Sequence, residues 1–262
     1  MCVCARVSSN SSSNNNNSST YILRRLNKKK GLICKMVIKN FTKTDIRNYN
    51  AFHDSSKYDP ESLVIAHQCN CIATNAHGLA ETLADKFPYC DIYSNRQPYI
   101  VGIPIGNLCH VDDRGKVGTI VTSSQSGQPT IASLLAQYQM GSLQRNYHSH
   151  NHQYLDQEYK DMKKMETYEL RETWFRSCLQ ELKCWIISNN NNDDDDDEKQ
   201  EVISSEKQFK KKKKKITTVA LPKWIGCNLA GGNWDNYKKI IHDELEAFGN
   251  DHNINICIVS LK

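Results

Sequence analysis

No apolar run in this chain is long enough to cross a bilayer, so a membrane-spanning helix is not expected. A secretory leader is not expected either, and eleven cysteines without one point to a reducing compartment rather than a disulfide scaffold. Zinc-knuckle spacing is absent, because Cys2-Val3-Cys4 and Cys69-Asn70-Cys71 are too tightly spaced for CxxC pairs. There is no Gly-x-Ser-x-Gly elbow for a serine nucleophile. No lysine follows the glycines at 226–232 as a nucleoside-triphosphate loop would require, and they lack the GxGxxG order of a dinucleotide fold. Acidic residues are missing before Asp45, whereas Arg6, Arg24, Arg25 and Lys28–Lys30 stand among many serines. That composition resembles a transit peptide, but the asparagine tract breaks any amphipathic helix, so a disordered extension over 1–35 is expected. Cytoplasm or nucleus is the expected location.

Two low-complexity tracts interrupt the 262 residues: almost wholly Ser and Asn over 8–20, and a passage from Asn through Asp to Lys over 188–215. Neither holds enough apolar surface to offset its ordering entropy. What remains, about 190 residues, suits one α/β domain with a full core. The net charge of +5 is uneven: Asp193–Asp197 with Glu198 stand against Lys210–Lys215. The acidic block neutralises the lysine run, so nucleic acid is not an expected partner. His148, His150 and His152 alternate, but no carboxylate or cysteine joins them, and no metal or other cofactor is expected. A monomer is expected.

Two segments share one logic. Ser62–Ala66 and Ile216–Leu221 are short apolar runs with the look of buried strands. The first is followed by the polar stretch from His67 to Gly78. Leu79, Ala80, Leu83, Ala84 and Phe87 then recur at helical spacing, closed by Pro88. The second leads into Gly226-Cys227-Asn228-Leu229-Ala230-Gly231-Gly232-Asn233-Trp234, and Tyr237, Ile240, Ile241, Leu245 and Phe248 repeat helically up to Gly249-Asn250. Strand-to-helix turns of this kind expose N–H groups at a helix N-terminus, and glycine permits close approach of an anion. Glycines serving only positive φ or tight packing give the same pattern. Two cradles at the carboxyl ends of parallel strands suit a diphosphate with a sugar at each end.

These loops resemble those of the macrodomains, an ADP-ribose-binding family. Ala66-His67 through Gly78-Leu79-Ala80 is similar to the first loop of the branch holding the terminal ADP-ribose protein glycohydrolases and the yeast-type ADP-ribose 1″-phosphate phosphatases. Gly226–Gly232 with Trp234 is similar to the second loop. Leu134–Tyr138 resembles the central strand ending in Gln-Tyr, and Arg171–Leu182 the helix after it. The likeness covers about 36–186 and 216–262 within an expected domain of 36–262. It implies a three-layer α/β/α sandwich with a mixed central sheet, and ADP-ribose or an ADP-ribosylated substrate as partner. Asn70, Asn75 and Gly78 would approach the distal ribose, and Gln137 the floor of the cleft. Gly226, Cys227, Asn228, Leu229, Ala230 and Gly231 would wrap the diphosphate, with N–H groups from Cys227 to Gly231 donating. Hydrolysis of an ADP-ribose derivative is the implied activity, with a non-catalytic reader as the alternative. Some hydrolases of this branch use a lysine and an aspartate. Here Ala230 stands at the aspartate, and Gly118–Thr122 carries no lysine, although Lys116 is near. Asn70, fixing the sugar, and His67, moving a proton, are the remaining catalytic candidates.

Overall fold

Parallel strand pairing accounts for most of the sheet. The structure is a computed structural model that describes residues 39–41, 59–99, 107–143, 155–191 and 214–259. The expected 1–35 extension, the alternating histidines and most of the expected 188–215 insertion lie outside these residues. In chain order the elements are β1 (Lys39–Phe41), β2 (Leu63–Asn70), α1 (Leu79–Lys86), β3 (Ile120–Ser123), β4 (Thr130–Gln137), α2 (Gln157–Met165), α3 (Tyr168–Asn191), β5 (Thr218–Pro222), α4 (Trp234–His252) and β6 (Asn255–Val259). The sheet order is β1-β6-β5-β2-β4-β3, parallel except for β3, which runs antiparallel on β4. This is a mixed sheet with helices on both faces.

Alternation along β2 divides its side chains between the layers. Val64 and Ala66 pack with Phe175, Leu179, Leu182, Ile240, Ile241 and Leu245 of α3 and α4. Leu63 and Ile65 pack with Leu83 and Phe87 at α1 on the other face. Every residue of β4 is buried, as a strand covered on both faces requires. Full burial of each Val, Leu or Ile contributes about 1.5–3 kcal/mol. The apolar stripe of α4 matches the sequence reading, and Trp234 packs on the same core at the helix start.

Three boundaries differ from the sequence reading. β2 runs to Asn70 rather than stopping at Ala66, because β4 pairs with it through Gln68↔Leu134, Cys69↔Leu135 and Asn70↔Gln137. Helix α4 continues past Gly249 to His252 and ends at Asn253 in the left-handed conformation. A Cβ on Gly249 would lie 2.8 Å from the Ile254 carbonyl oxygen, so that glycine serves packing, not termination. Helix α3 extends into the asparagines through Asn191. Asn190 exchanges two hydrogen bonds with the backbone of Ile216, Nδ2 to its O at 3.0 Å and its N to Oδ1 at 2.7 Å. Lys214 pairs with Asp59 and Glu61. The lysine run therefore ends in a structural ion pair with residues outside its own acidic block.

The Asn190–Ile216 clamp brings both ends of the insertion together. Joining Asn191 to Lys214 through a short linker, with 192–213 removed, should leave Tm at or above wild type, since a shorter loop costs less closure entropy. Removing 188–215 instead deletes the clamp and the Lys214 pair and should lower Tm. Thermal unfolding of the two deletions followed by circular dichroism checks the contrast.

Candidate functional site

β2 and β5 are neighbours only over Leu63↔Thr218, Val64↔Val219 and Ile65↔Ala220. Both then run on, β2 to Asn70 and β5 to Pro222. β2 leads to α1 on one face of the sheet, and β5 to α4 on the other. Adjacent parallel strands whose connections leave in opposite directions open a crevice at their carboxyl ends. Both glycine-bearing loops border that opening. They touch there: a Cβ on Gly78 would lie 2.9 Å from Leu229 Cδ1.

The first loop is held from several directions. Asn70 Oδ1 accepts from the N–H of Ile72 at 3.2 Å and of Ala73 at 2.7 Å, forming a local turn. Its Nδ2 has no partner among the described residues. Arg96 donates to the Ala73 carbonyl at 2.8 Å and lies over the Tyr93 ring. Asn75, exposed, donates weakly to Asn107 Oδ1 at 3.4 Å. Across β2 and β4, Gln68 Nε2 donates to Gln137 Oε1 at 2.8 Å, and the Gln137 carbonyl accepts from Cys71 N–H.

His67 is placed differently from the sequence expectation. It lies within β2 on the α1 side, 2% exposed, with Nε2 3.1 Å from Ser133 Oγ. Burial pushes its pKa down to about 4. A neutral imidazole sealed in the strand layer is a hydrogen-bonded core residue, so it leaves the catalytic set.

The second loop is also built differently from the expectation. Cys227 N–H donates to the Trp224 carbonyl, Gly231 N–H to Cys227, and Gly232 N–H to Gly226. Cys227 and Gly231 are therefore not free donors. The N–H groups of Asn228, Leu229 and Ala230 have no partner among the described residues, and Asn228 and Leu229 are exposed. The flanking glycines answer to packing. Gly226 has φ 71°, and a Cβ there would meet the Tyr237 ring at 2.4 Å. Gly231 has φ 76°, and its Cβ would sit 3.0 Å from both Ser142 Cβ and the Tyr168 hydroxyl. A side chain at Gly231 would strain the fold as well as the loop.

Arg171 fixes this loop, and the sequence reading missed it. The residue is 1% exposed, and its Nε donates to Glu166 at 2.9 Å. Its Nη1 donates to the carbonyls of Gly141 and Ala230, at 2.8 and 3.0 Å. Glu166 accepts from the N–H groups of Tyr138 and Gln139. One guanidinium thus ties the end of β4, the start of α3 and the second loop together. The available signal was a cation in register with Phe175, Cys178, Leu179 and Leu182 on an apolar helix face. Trp224, with φ 68° and 47% exposed, lies tilted against Trp234 with ring centroids 5.7 Å apart, and had no local signal. Lys116 is exposed in the turn before β3.

Two consequences are measurable. The folded pKa of His67 lies below the unfolded value of 6.5, so the unfolded state binds the extra proton. Its stabilisation is complete above about pH 6.5 and declines toward pH 4. Wild type should lose about 2 kcal/mol more than His67→Gln between pH 7.5 and 5 in urea unfolding. Arg171→Met leaves the Glu166 carboxylate buried without its cation and should destabilise by about 3–5 kcal/mol, read from the same denaturation curves.

No protein-family model matches the sequence, and no curated protein matches it. Among solved structures, a Bacteroides thetaiotaomicron protein of unknown function is similar at 18% identity, with a TM-score of 0.44, over 85% of this chain and 97% of that one. The macrodomain of Mycobacterium tuberculosis DarG is similar at 12% identity and a TM-score of 0.43, over 85% and 97%. An Oceanobacillus iheyensis macrodomain is similar at 11% identity and a TM-score of 0.40, over 78% and 80%. At these values the likeness assigns no function.

Proposed function

We propose that this protein binds ADP-ribose along the crevice between β2 and β5 and hydrolyses a derivative substituted on the distal ribose. ADP-ribose 1″-phosphate and an ADP-ribosylated macromolecule are the substrate candidates. The observation that supports binding is the crevice itself, with three consecutive unpartnered N–H groups, Asn228 to Ala230, on its rim. N–H groups turned out at a loop before a helix favour an anion such as a diphosphate. In this reading Asn70, Asn75 and Gly78 border the distal ribose, and Gln137 with Gln68 forms the floor. The free Nδ2 of Asn70 is a donor for a sugar hydroxyl. A reader without catalysis is the second reading, favoured by Ala230, whose methyl leaves no acid on the second loop.

Calorimetric titration tests the binding. ADP-ribose should bind at least tenfold more tightly than ATP or NAD, and equal affinity for ATP would overturn the reading. Asn228→Asp places a carboxylate beside the diphosphate on an exposed residue. It should weaken ADP-ribose binding at least tenfold, about 1.4 kcal/mol, with Tm unchanged. Release of phosphate or free ADP-ribose then separates hydrolase from reader.

A further inference from the structure

With His67 buried, the first loop offers another imidazole. His77 is exposed and immediately precedes Gly78, the residue against which Leu229 of the second loop packs. Its Nε2 lies 2.9 Å from Asn107 Nδ2. Asn107 is itself fixed: its carbonyl accepts from Thr74 N–H at 2.8 Å, its Oδ1 faces Asn75, and Leu108 bridges to Ala73. The carboxamide therefore holds the ring from a braced position on a neighbouring segment. With Nε2 accepting, the neutral ring carries its proton on Nδ1. That edge has no partner among the described residues.

We propose that His77, oriented by Asn107, is the residue that stabilises the leaving group in the hydrolysis put forward above, an inference that rests on that reading of the crevice. A leaving oxygen that becomes anionic, as phosphate or carboxylate, is the chemistry a fixed Nδ1–H serves. The water oxygen bonds to C1″ of the distal ribose while the C1″–O bond breaks. The bonding pair stays on the departing oxygen, which Nδ1–H holds, and the proton released by the water passes to solvent. His77 keeps its own proton throughout. The substrate class is accordingly O-linked: ADP-ribose bearing a phosphate or an acyl group at C1″.

The test uses ADP-ribose 1″-phosphate and an ADP-ribosyl-glutamate peptide as probes of the full chain, with ADP-ribose affinity measured beside turnover. His77→Phe should lower kcat at least tenfold, equivalent to 1.4 kcal/mol. KM and ADP-ribose Kd should stay within threefold. His77→Gln keeps an N–H donor and should recover part of kcat. Asn107→Leu, which frees the ring without removing it, should lower kcat without moving KM. Wild-type kcat in His77→Phe overturns the inference, as does a loss of kcat matched by an equal loss of ADP-ribose affinity. Wild type that binds ADP-ribose but turns over neither probe overturns it too and leaves the reader. Wild type that fails to bind ADP-ribose overturns the underlying reading first.

Discussion

The buried pair of Arg171 and Glu166 is the constraint on which the rim of this protein depends. Neither side chain reaches water, so each charge is compensated only by the other and by backbone dipoles. Glu166 takes the N–H groups that β4 leaves unpaired as it ends, and Arg171 takes the carbonyls of Gly141 and Ala230. Desolvating two ions gains little net stability, because their attraction roughly offsets the hydration they lose. What the pair supplies is position. Three segments far apart in sequence meet at one guanidinium, and the second loop cannot shift without stranding a buried charge.

That fixed loop matters because the sheet opens beside it. The β2–β5 ladder stops while both strands continue, and their connections depart to opposite faces. The glycines around the loop make the close fit feasible. Gly226 lets the backbone lie on the Tyr237 ring, and Gly231 lets it pass Ser142 and Tyr168. The N–H groups without a partner among the described residues lie between these glycines, at residues that are not glycine. Bare backbone here forms the turn, and the turn presents the donors.

The first loop follows a complementary principle. Side-chain amides do there what glycine and arginine do in the second loop. Asn70 closes a turn on Ile72 and Ala73, Gln68 pairs with Gln137 across β2 and β4, and Asn107 braces Asn75 and His77. Each amide offers both a donor and an acceptor without a net charge.

By itself the sequence determined the layers. The apolar runs before each loop, the stripe from Tyr237 to Phe248 and the stripe from Phe175 to Leu182 specify strands and helices through burial period alone, a local property of the chain. It also marked both loops as strand-to-helix turns. Only the tertiary structure decided which residues within those loops can act. His67 looked like an accessible base until pairing with β4 carried it into the strand layer. Cys227 and Gly231 looked like donors until the loop closed on itself. Asn107 and Arg171 had no reason to be grouped with either loop until the chain folded. Hydrogen-bond partners depend on which distant segments meet, and one residue's shift along a strand reverses the face it occupies.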